Sequence, residues 1–110
     1  MLHTDSLKRN GDFKRLYARG KNAVDGCAAV YTRKNGTLRS RLGVTVSTKH
    51  GGAVVRNRVR RRIREAYRIN EHRFPPGYDI VIVARIRAGH VSFGALCSSV
   101  TALILKLTGH

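Results

Sequence analysis

The chain of 110 residues carries twenty-two Lys and Arg against six Asp and Glu, a formal charge of +16, so its natural partners are polyanions, nucleic acid first, and their binding should weaken with salt. This length allows one domain around a single modest core. No run approaches the roughly 18 apolar residues that span a bilayer, the amino terminus lacks an apolar signal-peptide core, and Cys27 and Cys97 have no CxxC or His-Cys ligand spacing, so a cytoplasmic protein with reduced, buried thiols is expected.

Residues 1–8 read as a loose lead-in. Asn10 can cap a short basic helix carrying Phe13, Leu16 and Tyr17, with Gly20 ending it. Residues 23–25 form a candidate short strand. Residues 27–32 and 42–47 read as strands, and the Asn35-Gly36 dipeptide between them favours a tight turn, so an antiparallel hairpin is expected.

Gly51-Gly52 then precedes a segment, residues 54–68, that packs seven arginines and one acid into fifteen positions. At about 100° per residue, Val55, Val59, Ile63, Ala66 and Tyr67 fall on one stripe, which a small domain must bury to hold the helix. Asn57, Arg60, Arg61, Arg64 and Arg68 cluster opposite, while Arg56 and Arg62 border the stripe, where their alkyl stems can lie on the core. A solvated basic face is the common meaning of a charge run. Here Arg56/Arg60, Arg58/Arg62, Arg60/Arg64 and Arg64/Arg68 repel at i, i+4 by a few tenths of a kcal/mol per pair without interleaved acids, which points to an external anion. From Arg56 to Arg68 the helix rises roughly 18 Å, a span over which a nucleic-acid backbone presents several phosphates. Lys49-His50-Gly51-Gly52 before it fits two readings equally, a backbone that approaches an anion at a helix start and an ordinary tight turn.

Pro75-Pro76-Gly77 closes this helix, and residues 79–84 form a continuous apolar run expected inside a sheet. Phe93, Leu96, Cys97, Val100, Leu103, Ile104 and Leu107 recur at three- and four-residue steps, a final amphipathic helix with Ser92 as its cap. The order α-β-β-β-α-β-α predicts an α+β two-layer sandwich, one domain over residues 1–110.

Protein-borne catalysis finds no support. The six acids are scattered over different elements, and His3, His50, His72, His90 and His110 lack ligand spacing. No GxxxxGK[ST] or GxGxxG phosphate loop occurs. On the residues alone the leading reading is an RNA- or DNA-binding module; a ribosomal or chromosomal architectural protein and an independent metal-dependent RNase are the competing readings.

The stretch Leu42-Gly43-Val44-Thr45-Val46-Ser47-Thr48-Lys49, followed by Ala53-Val54-Val55-Arg56-Asn57-Arg58-Val59-Arg60-Arg61-Arg62-Ile63-Arg64-Glu65-Ala66-Tyr67-Arg68, resembles the protein subunit of bacterial ribonuclease P. Leu7-Lys8-Arg9-Asn10, Asp12-Phe13, Leu16-Tyr17, Gly20-Lys21 and the run Asp79 to Arg85 match as well, so the likeness spans nearly the whole chain. It implies a fold similar to the second domain of a small-subunit ribosomal protein, with a left-handed βαβ crossover placing the arginine helix. It also implies a ribonucleoprotein endonuclease that removes 5′ leaders from precursor tRNA, with catalysis by the RNA subunit, Mg²⁺ held by RNA, and one protein monomer per RNA.

By that resemblance Arg56, Asn57, Arg58, Arg60, Arg61, Arg62 and Arg64 dock on the catalytic RNA, beside Ser47 and Lys49, and Arg68 extends the same helix face. Phe13, Tyr17 and Tyr31 line a cleft for the single-stranded leader, where unstacked bases can lie on aromatic faces. Spacing alone makes Phe13 and Tyr17 core residues; the resemblance makes them a cleft wall that is partly core. Gly51-Gly52-Ala53 stands where relatives usually carry Gly-Asn-Ala.

Overall fold

The computed structural model describes residues 1–109; His110 lies outside them. Its elements in chain order are β1 (Thr4–Ser6), α1 (Asn10–Arg19), β2 (Lys21–Val24), β3 (Ala28–Lys34), β4 (Ser40–Thr45), α2 (Ala53–Asn70), β5 (Tyr78–Ala84) and α3 (Phe93–Leu107). One five-stranded sheet runs β1-β4-β5-β3-β2. The α+β architecture stands as expected, with three helices and four strands where the sequence put them.

Two expectations need correction. The lead-in is not loose: Thr4–Ser6 pairs in parallel with Ser40–Leu42 and becomes the edge of the sheet. Its anchor lies far along the chain, because the buried carboxylate of Glu71 accepts from the amides of Leu2 (2.6 Å) and His3 (3.3 Å) and from the Thr4 hydroxyl. The Thr4 hydroxyl also meets the Tyr67 hydroxyl at 2.9 Å. Helix α1 departs in a smaller way: Asn10 is its first residue rather than its cap, and no side chain caps it.

Second, β3 and β4 do not form a hairpin. Strand β5 sits between them, antiparallel to β3 and parallel to β4. The physical reason is burial on both sides. Ile80, Ile82 and Ala84 face the main core, and Val81 faces the other side fully buried, so β5 loses least water-averse surface at the centre. The Asn35 side chain is spent elsewhere, donating to Arg39 O (2.9 Å) and Asp79 Oδ1 (3.0 Å) and accepting from the Thr37 amide (2.9 Å). It shapes an open loop over the end of β5 instead of a two-residue turn. The true hairpin is β2–β3, whose connection is held by Asp25 Oδ1 accepting from the amides of Cys27 (2.8 Å) and Ala28 (3.0 Å).

Helices α2 and α3 cover one face of the sheet. Val59, Ile63, Ala66 and Tyr67 of α2 and Leu96, Val100, Leu103 and Ile104 of α3 join Val30, Leu42, Ile80 and Ile82 in the main core. Each fully buried aliphatic side chain contributes about 1.5–3 kcal/mol relative to exposure, which is what fixes α2 despite its row of like charges. Ser92 caps α3 as expected, accepting from the Ala95 amide. Helix α1 crosses the opposite face, where Leu16 packs with Leu7 and Val81. It covers that face only in part and leaves Tyr31 and Val83 half-buried. Among the described residues no helix is long and apolar enough to cross a membrane.

Candidate nucleic-acid interface

Four of the five stripe residues on α2 are buried; Val55 is not, keeping 38% of its surface exposed. The outer face is a row of guanidinium groups. Among the described residues no carboxylate lies within ion-pair distance of Arg56, Arg58, Arg60, Arg61 or Arg64. Arg60 Nη1 donates to Asn57 Oδ1 at 2.7 Å, which holds one fork in place without neutralising it. Five uncompensated charges on one helix face are an electrostatic liability in isolation and an asset against phosphates.

Two arginines of the same run are committed within the chain. Arg62 Nη1 donates to Ala88 O (2.9 Å) and Nη2 to Val91 O, so its fork fastens the turn that follows β5. Arg68 pairs with Glu65 one turn back. The hydrogen bond between them holds the Glu65 carboxyl below its ordinary range and raises the Arg68 guanidinium.

Ahead of α2, residues Thr48–His50 make a 3-10 turn, and Gly51 adopts φ 132°, a conformation that suits only glycine. Gly52 occupies the cap position with no side-chain hydrogen bond to the first turn. The helix therefore starts with open amides beside exposed Lys49 and Ser47, a favourable place for an anion. His50 is turned inward instead, with Nε2 3.2 Å from Ala84 O.

On the α1 side, Phe13, Tyr17 and Tyr31 come together as expected. Phe13 packs against Gly43 so closely that an added Cβ there would stand 2.5 Å from Phe13 Cζ. Tyr17 and Tyr31 meet edge to face at 5.0 Å and 82°, and the Tyr17 hydroxyl reaches Thr45 Oγ1 at 3.3 Å. Phe13 and Tyr31 are half-buried and Tyr17 is 43% exposed, so the wall is partly core and partly open. Val81 and Val83 supply its apolar floor.

One end of this cleft is closed by charges that sequence reading missed. Arg41 Nε donates to Asp79 Oδ1 (2.8 Å), its Nη2 to Asp79 Oδ2, and its Nη1 to Asp12 Oδ2 (3.3 Å); Arg15 meets Asp12 at 3.2 Å. The bidentate bond to Asp79 raises the Arg41 guanidinium further. Only the register, which sets Arg41 opposite Asp79 across β4 and β5, brings these groups together. Beyond Thr45, which Tyr17 touches, the chain runs through Ser47 and Lys49 to the start of α2. A single stretch of chain thus joins the aromatic cleft to the arginine face.

Among the described residues no three His, Cys, Asp or Glu side chains converge as metal ligands. Cys27 and Cys97 are both free, and burial pushes the Cys97 thiol up.

The family model described as Ribonuclease P matches residues 1–108. The ribonuclease P protein component of Clostridioides difficile is 41% identical over 104 residues, covering 94% of this chain and 91% of that protein. The component from Pelotomaculum thermopropionicum is 43% identical over 103 residues, covering 94% and 88%. Among solved structures, the RNase P protein from Thermotoga maritima superposes with a TM-score of 0.84 at 32% identity, covering 93% of this chain and 96% of that one. The Staphylococcus aureus RNase P protein gives 0.81 at 32% identity, covering 94% and 96%. With matched sequence, matched backbone and an arginine face joined to an aromatic cleft, this chain belongs to the bacterial ribonuclease P protein family.

Proposed function

We propose that the chain is the protein subunit of ribonuclease P and assists removal of the 5′ leader from precursor tRNA. The observation that carries this reading is a face of guanidinium groups without carboxylate partners among the described residues, linked along the chain through Lys49, Ser47 and Thr45 to a partly open aromatic wall. Arg56, Arg58, Arg60, Arg61 and Arg64, with Asn57, Ser47 and Lys49, dock on phosphates of the RNA subunit. Arg62 acts chiefly by holding the adjoining turn, and Arg68 contributes less because Glu65 already neutralises it. Phe13, Tyr17 and Tyr31 receive the leader, whose bases stack on the exposed aromatic edges.

The two surfaces do different work. Docking neutralises phosphates and lowers the need for divalent cations, while the cleft adds affinity only for RNA that still has a leader. Product loses that part of the binding energy and leaves. The RNA subunit performs the hydrolysis and its phosphates hold the Mg²⁺; one protein monomer serves one RNA in the cytoplasm.

The test is cleavage of 5′-labelled precursor tRNA at low Mg²⁺ by the protein, by ribonuclease P RNA, and by both. Cleavage at the mature 5′ end only with both is the expected outcome. Cleavage by protein alone would overturn the assignment of catalysis to RNA, and no stimulation of the RNA would overturn the subunit role.

A further inference from the structure

At the border between the arginine face and the apolar stripe there is a cavity of about 400 Å³ between the early turns of α2 and the turn at Ile86–Gly89. Its floor is Val59, 3% exposed, and its walls are Val55 and Ile86, which remain 38% and 47% exposed. Two large aliphatic side chains facing water beside a row of guanidinium groups make no sense as core, and the α2 stripe that buries Val59, Ile63 and Tyr67 leaves Val55 out. The Arg62 fork, tied to the carbonyls of Ala88 and Val91, closes one side and holds the turn rigid. His50, fixed on Ala84 O, and His90 add flat rings at the margin, and Arg58 stands on the rim with no carboxylate partner among the described residues.

From this geometry we infer that the cavity receives one unstacked nucleobase of the RNA subunit, held through its faces while Arg58 and its neighbours hold the flanking phosphates. This rests on the subunit role proposed above. The occupant must be flat and apolar on its faces, to replace the water now against Val55 and Ile86. It must also be tethered to a polyanion, because Arg58 and Arg62 line the cavity and further arginines of α2 without carboxylate partners among the described residues flank it. A nucleobase on a phosphate backbone meets both conditions; an apolar peptide or a small neutral ligand meets only the first. The RNA subunit is the source because the cavity opens on the docking helix, whereas the leader cleft lies on the opposite face of the sheet. The contact differs in kind from phosphate docking: it depends on shape and carries no charge.

That difference supplies the experiment. Affinity of the protein for ribonuclease P RNA is measured against salt for the native chain, for the double variant Val55→Ala/Ile86→Ala, and for Arg58→Ala, with thermal melts to verify folding. Loss of one base contact should weaken binding by about tenfold, within the range for base stacking, and leave the slope of log affinity against log salt unchanged. Arg58→Ala should instead lower that slope by about 0.9. Chemical probing of base edges should show one nucleotide of the RNA subunit protected by the native protein and exposed with the double variant. Unchanged affinity of a folded double variant would overturn the inference, as would a loss confined to leader-bearing precursor, which would assign the cavity to substrate. If the native protein fails to bind the RNA subunit, the subunit role falls first; if it binds and the double variant binds equally, only the base site falls.

Discussion

The two surfaces proposed to meet RNA are built in opposite ways. On α2 the functional atoms point away from the fold: Ile63 and Tyr67 are wholly buried on one side, and Arg61 and Arg64 are exposed on the other. In the cleft the functional atoms are part of the fold, since the Phe13 ring that would meet a base also covers Gly43. Binding and stability are therefore separable on the helix and coupled in the cleft. A helix that anchors itself by one stripe can carry any residues on its far face, whereas a half-covered sheet exposes only what its packing leaves over.

The strongest way to sharpen this contrast is to empty the arginine face. Replacing Arg56, Arg58, Arg60, Arg61 and Arg64 by Gln should cut affinity for the RNA subunit by roughly a thousandfold at physiological salt and reduce the salt slope by about 4 to 5. The melting temperature should hold or rise, because the i, i+4 repulsions go too; salt-dependent binding and calorimetry together check both. In the cleft the same separation should fail. Gly43→Ala places a methyl group inside the Phe13 ring, so stability should fall by about 1–3 kcal/mol while precursor loses its advantage over leaderless tRNA. Denaturant unfolding and paired binding assays measure these, and a loss of discrimination with full stability would break the contrast.

Tyr17 is the intermediate case, 43% exposed and held by one hydroxyl contact and the edge-to-face packing on Tyr31. Tyr17→Ala should weaken precursor binding about tenfold, within the stacking range, with little change for mature tRNA and less than about 1 kcal/mol in stability. The smallest effect concerns pH. Burial alone would raise the Glu71 carboxyl, but the hydrogen bonds from Thr4, Leu2 and His3 prevail and hold it below its ordinary value. A depressed carboxyl contributes stability fully above the unfolded pKa, and that contribution is lost as pH falls through the folded one. Glu71→Gln should thus flatten the acid limb of the stability profile below about pH 5, leaving RNA docking at neutral pH unchanged; an identical acid limb would show that Glu71 does not titrate with unfolding.

Much of this was legible in the chain. Apolar spacing located α2 and α3, and the unbroken run from Ile80 to Ala84 gave β5 its central seat. What failed was pairing. Asn35-Gly36 offered a local turn signal, and nothing local could say that Asn35 would bond to Asp79, 44 residues away. Thr4-Asp5-Ser6 has no apolar pattern at all and becomes a strand only through β4 and Glu71. The arginines show the same limit: Arg56 and Arg62 border the stripe alike by spacing, yet the carbonyls of Ala88 and Val91 claim Arg62 and not Arg56. Sequence names the residues on a face, and tertiary neighbours decide which of them are still available.

The central place of β5 also sets an order of events. Strands β3 and β4 meet only through it, and β1 gains its far anchor only when Glu71, 67 positions beyond Thr4, is in place. As the chain is synthesised from its amino terminus, the β2–β3 hairpin can form early, but the sheet cannot close until residues beyond 78 emerge. For that interval the arginine helix lacks the central strand of its sheet, and its seven guanidinium groups are presented before the core behind them has closed. Such non-local closure makes for slow folding, so the newborn chain meets cellular RNA as a basic peptide before it meets it as a domain.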